Sequence, residues 1–111
     1  MGLFAAGQVV ILPFPYSDLT GQKLRPVLLL ATAGHQDWVI CQITSNPFTD
    51  PFAISLTQHS FSSGGLRHTS YVRPSKLFTA NQSLIASRSG TLRDDVLEAV
   101  REAVIDVIQG S

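Results

Sequence analysis

Cations and hydroxyls in this sequence collect at the ends of short apolar runs. They lie in PYSDLTGQKLRP (15–26), QITSNPF (42–48) and RHTSYVRPSK (67–76). In the first stretch Arg25 is followed at once by Pro26 and then by Val27, Leu28, Leu29, Leu30 and Ala31. Proline has no N–H and drives the residue before it toward an extended backbone, so Arg25 stands on a stiff base at the mouth of a core-bound strand. A guanidinium stays charged and offers five donors in a planar fork that matches phosphate, which suits it to anionic oxygens and unsuits it to accepting a proton. The alternative at this stage is an arginine that pairs with a local carboxylate. Thr44 and Ser45 close the third apolar run, and antiparallel pairing of the second and third runs would bring Arg25 toward Thr44. A threonine there is equally an ordinary β-former bonded to a turn.

The elements that must hold these groups read as strands over the first two thirds of the chain. Runs at 8–12, 27–31, 38–43, 53–56 and 70–73 are short and apolar, with Pro13, Pro15, Gly21, Gly34, Pro47, Pro51 and Gly64-Gly65 between them, and a sixth run covers 84–88. This spacing predicts a small barrel or a strongly bent sheet. From Asp94 the period changes: Leu97, Val100, Val104, Val107 and Ile108 recur at three- and four-residue steps, predicting a terminal helix packed on the sheet. Thr91 with Asp94 resembles a capping box, and Gly110 suits the stop. The whole, residues 1–111, reads as one mainly β domain with a C-terminal α-helix, an α+β fold with one core.

Composition narrows the function classes. Hydrophobic residues make up 44% and charged residues 14%, which argues for a folded chain. The formal net charge is zero, but residues 94–111 hold five acids and one base, leaving seven bases against three acids in the rest. A basic body with an acidic tail supports an anion-binding face. The lone Cys41 sits within the apolar run WVIC and reads as a buried thiol in a reducing compartment. The start MGLFAAG lacks a basic n-region and a full-length apolar segment, so the expectation is a soluble, cytoplasmic protein with no membrane association. There is no phosphate-binding glycine loop with lysine, no GxSxG, no HExxH and no cysteine pair, and His35, His59 and His68 are scattered. No metal site and no cofactor are expected.

Three stretches together carry a resemblance: GQVVILPFPYSDLTGQKLRPVLLLA (7–31), ICQITS (40–45) and SYVRPSKLFT (70–79), followed by the closing helix. In this order they resemble the MazF/PemK toxins of bacterial toxin–antitoxin pairs, over nearly the whole chain. The resemblance implies a small SH3-like barrel of the MazF, PemK and CcdB kind, a homodimer, and metal-independent, sequence-selective cleavage of single-stranded RNA. It implies a cognate antitoxin that occupies the RNA groove. By this resemblance Arg25 corresponds to the catalytic arginine and Thr44 to the active-site hydroxyl. Attack of a ribose 2′-hydroxyl on the adjacent phosphate builds negative charge that Arg25 and Thr44 would stabilise, leaving a cyclic phosphate and a 5′-hydroxyl. Tyr16, Ser17, Asp18, Lys23, Ser45, Asn46, Arg73 and Lys76 form the expected RNA-contacting set, with Tyr16 either stacking a base or capping the barrel. Phe48 and Phe52 are expected in burial or a dimer contact. Many relatives place a carboxylate near the position of Ser75; its absence leaves the proton acceptor unassigned, with Asp18 and His68 as substitutes. The alternative is a non-catalytic toxin on the same barrel, an RNA-binding module or a poison of a protein such as DNA gyrase.

Overall fold

The computed structural model describes residues 3–15, 21–47 and 50–110. Among these the chain forms β1 (Gln8–Pro15), β2 (Gln22–Gly34), β3 (Asp37–Thr44), β4 (Ile54–Leu56), β5 (Phe61–Gly64), β6 (Ser70–Asn81), β7 (Ser87–Leu92) and α1 (Asp94–Gln109). The strands make one antiparallel sheet in the order β4-β6-β3-β2-β1-β7-β5. Every strand sends side chains into the same core: Val9, Leu28, Cys41, Leu56, Phe61, Val72 and Leu92 meet Leu97 and Val100 of α1. A sheet whose seven strands share one interior must wrap around it, which gives a nearly closed, SH3-like barrel with a C-terminal helix. The opposite face of β1–β3 carries a second apolar group, Val10, Leu12, Val27, Leu29, Trp38 and Ile40, packed by Phe4, Phe14 and Ile85. Strict alternation in VVIL and VLLL, apolar on both faces, is how three central strands serve two apolar layers at once.

Four elements differ from the sequence expectation. β2 begins five residues before the apolar run and β6 runs eight residues past Arg73. β6 accommodates Pro74 by a bulge: Gln42 pairs with Arg73 but Cys41 pairs with Leu77, so 74–76 stand out of the ladder. Proline's missing donor is tolerated at such a bulge. The sixth expected run shifts to Ser87–Leu92, because Gln82–Leu84 forms a 3-10 turn capped by the Asn81 side chain. Phe61–Gly64, unforeseen, adds the edge strand β5.

Thr91 lies in β7, paired with Gln8 and Ser63, and is not the helix cap. The cap position falls to Arg93, without a side-chain capping bond; Asp94 and Asp95 occupy the first turn, where the helix dipole favours them. Gly110 ends α1 in the left-handed region at φ 75°, its N–H donating to the carbonyls of Asp106 and Val107. Leu97 and Val100 are buried, whereas Ile108, assigned to the core-facing stripe by periodicity, is 71% exposed near the helix end. No helix among the described residues is long and apolar enough to cross a membrane.

Candidate nucleic-acid interface and active site

Strand register puts Arg25 and Thr44 in one row. Arg25 pairs with Leu12 across β1–β2, and Thr44 pairs with Tyr71 across β3–β6. Between them β2 and β3 pair at Val27 and Gln42, and two more residues along that register set Arg25 opposite Thr44. Opposed residues of an antiparallel pair project on the same face, so this register puts the Arg25 and Thr44 side chains on one face of the sheet.

Both line one cavity of about 450 Å³. Lys23 and Ser45 line it from the same strand ends, and Leu66, Arg67 and His68 line it from the loop between β5 and β6. That loop is anchored at both ends: Gly65 N–H donates to the Ser89 carbonyl at 3.1 Å, and the buried Ser70 hydroxyl donates to the His68 carbonyl at 3.0 Å. The described lining residues include three permanent or near-permanent cations, Lys23, Arg25 and Arg67, and no carboxylate. The guanidinium of half-buried Arg25 makes no hydrogen bond or ion pair with a described residue, so pairing with a described acid does not account for it. Thr44 Oγ1 accepts from the Asn46 N–H at 3.1 Å, which leaves its own hydrogen for a further acceptor. A cavity built this way offers positive charge and O–H donors to an anionic oxygen.

Arg73 and Lys76 stand apart, at the β6 bulge, and do not line the cavity. Arg73 Nη1 donates to Gln42 Oε1 at 3.3 Å, and its Nε lies 3.8 Å from Asp50 Oδ2. Exposed Lys76 places Nζ 6.0 Å from the Phe78 ring centre. Asn46 is exposed at the strand end. Tyr16, Ser17, Asp18 and Phe48 lie outside the described residues. Phe52 is 45% exposed, partly against the expected burial.

Ser75 proves to have a carboxylate beside it after all, supplied by Asp50 from 25 residues away. The Ser75 hydroxyl donates to Asp50 Oδ2, and the Phe52 N–H donates to Oδ1 at 2.8 Å. Burial alone would raise the Asp50 pKa; the Ser75 hydroxyl, the N–H groups of Phe52 and Ser75 and the Arg73 charge outweigh it and hold it below the ordinary value. Asp50 is not part of the cavity lining. Sequence reasoning missed this acid and did not include Arg67 in the RNA-contacting set. For Arg67 the signal is GGLRH, a glycine pair setting a cation and an imidazole on a tight loop.

Comparison with known proteins follows the same lines. Residues 5–108 match the family described as PemK-like, MazF-like toxin of type II toxin–antitoxin system. No curated protein sequence matches the chain. Among solved structures, a MazE–MazF complex from Deinococcus radiodurans superposes with a TM-score of 0.76 at 22% identity, covering 100% of both chains. An endoribonuclease in complex with its cognate antitoxin from a Mycobacterial species gives 0.75 at 16% identity over 96% of this chain and 95% of that one. The Mycobacterium tuberculosis toxin MazF-mt6 gives 0.70 at 19% identity, covering 92% and 96%. At these identities the likeness is one of fold.

Proposed function

The chain belongs to the PemK-like, MazF-like toxin family of type II toxin–antitoxin systems, and from that premise we propose that it is a metal-independent, sequence-selective endoribonuclease acting on single-stranded RNA. The observation that carries the reading is Arg25, unpaired among described residues and opposed to Thr44 in a cation-lined cavity. The phosphate at the scissile bond sits between them. The ribose 2′-oxygen attacks phosphorus, charge grows on the phosphorane oxygens, and the Arg25 guanidinium and the free Thr44 hydrogen bind that charge more tightly than they bind the ground state. The bond to the 5′-oxygen breaks, giving a 2′,3′-cyclic phosphate and a 5′-hydroxyl. Lys23, with Ser45 and Asn46 at the β3 end, contacts flanking phosphates, and Arg73 and Lys76 extend the contact surface over the β6 bulge. Tyr16, Ser17 and Asp18 complete the RNA-contacting set.

Residues 1–111 form one toxin domain in this reading, acting as a homodimer in the cytoplasm and held inactive by a cognate antitoxin. Solved neighbours that include toxin–antitoxin complexes support that partner. The test is a single-stranded RNA oligonucleotide incubated with the protein in EDTA. Cleavage is expected, together with its loss when the 2′-hydroxyl at the cut site is replaced by hydrogen. Persistent cutting of the deoxy-substituted strand, or no cutting with inhibition of DNA gyrase by the same sample, would overturn it.

A further inference from the structure

We propose that His68 is the general base of this site, taking the proton from the attacking 2′-hydroxyl; the assignment rests on the endoribonuclease reading above. In-line attack needs a proton acceptor within reach of the ribose, and the described side chains of the cavity can be sorted by that need. Lys23, Arg25 and Arg67 are cationic donors and offer no acceptor. Thr44, Ser45, Ser70 and Ser89 are hydroxyls, too weakly basic for the task. His68 alone among them carries an imidazole, whose neutral form keeps one nitrogen lone pair to accept a proton. The buried acid Asp50 is committed to Ser75, Phe52 and Arg73 and stands outside the lining.

The geometry of the loop fits the role. The Ser70 and Gly65 bonds fix the backbone on either side of His68, while the exposed imidazole makes no hydrogen bond with a described residue. It lines the same cavity as Lys23, Arg25 and Thr44, from the β5–β6 loop that it shares with Arg67. In the step the 2′-oxygen gives its proton to an imidazole nitrogen as the bond from 2′-oxygen to phosphorus forms. The electron pair of the breaking bond leaves with the 5′-oxygen, which takes a proton from water, and the imidazolium returns its proton to solvent.

The experiment is kcat/KM against pH for the full-length protein, His68→Ala, His68→Gln and Asp18→Asn on one RNA oligonucleotide in EDTA, with thermal unfolding recorded for each. Expected is a wild-type rate that rises with pH and then levels. His68→Ala and His68→Gln should fall by about 10²- to 10⁴-fold and lose the levelling, with added imidazole restoring His68→Ala at least partly. A His68 variant that keeps the wild-type profile while Arg25→Ala is inactive overturns the base assignment and leaves the nuclease reading standing. A slower variant with an unchanged profile, or a profile altered only in Asp18→Asn, overturns it too. A wild-type protein that cuts no RNA overturns both.

Discussion

The Ser75 hydroxyl donates to the Asp50 carboxylate, joining the β6 bulge to the segment that precedes β4. That carboxylate is buried, and its remaining contacts, the Phe52 N–H and Arg73, belong to the same two segments. Asp50→Ala removes the acceptor from all of them, and a loss of about 2 kcal/mol in unfolding free energy is expected, in the range for a hydrogen-bonded charged group. Urea unfolding with unchanged m-value checks it.

The same pair has a pH signature. The Asp50 pKa is lower in the folded protein than in the unfolded chain, so its contribution is complete above the unfolded carboxylate value of about 3.9. It is lost as pH falls through the folded value. The Tm gap between wild type and Asp50→Asn should therefore be widest at neutral pH and close in acid. A gap that grows in acid would contradict the direction of the shift.

Cys41 is buried within the barrel, and burial, followed by the nearby Asp50 charge, pushes its thiol up to about 12. The thiolate is the reactive form, so alkylation at pH 8 should proceed only through unfolding. The expected rate of labelling by a disulfide reagent rises with urea and tracks the unfolded fraction; rapid labelling of the native protein would place the thiol elsewhere.

Gly90 lets β5 and β7 close behind the cavity wall. A Cβ there would lie 2.7 Å from both Gly65 N and Ser63 O, backbone atoms that cannot swing aside. Gly90→Ala should lower stability by about 1–3 kcal/mol, read as a drop in Tm. RNA cleavage should weaken with it, since Gly65 and Ser89 line the cavity.

These cases mark what the chain reveals before it folds. The three central strands and α1 were legible because their apolar residues repeat at the period of the element that buries them. Arg25 and Thr44 came with them, since alternation and antiparallel pairing decide which strand-end groups meet. β5 was not legible: Phe61–Gly64 contains a single buried residue, and its strand character comes from pairing with β7. The polar ends of β2 and β6 were hidden for the same reason. Asp50 beside Ser75 depends on how an intervening turn and β4 return the chain to β6, which no local pattern encodes.

Thr44 gives a graded test of the donor role. Thr44→Val keeps the shape and removes the hydrogen, and a fall of about 10²- to 10³-fold in kcat is expected. Thr44→Ser should keep most of the rate.

The most direct measurement is the single-turnover cleavage rate of Arg25→Ala on single-stranded RNA in EDTA, with folding verified by a wild-type Tm. Arg25 bears no partner among described residues whose loss would unfold the chain. A fall of about 10³-fold or more is expected, by analogy with other arginines that neutralise a phosphoryl transition state. A folded Arg25→Ala that cuts at the wild-type rate would contradict the account.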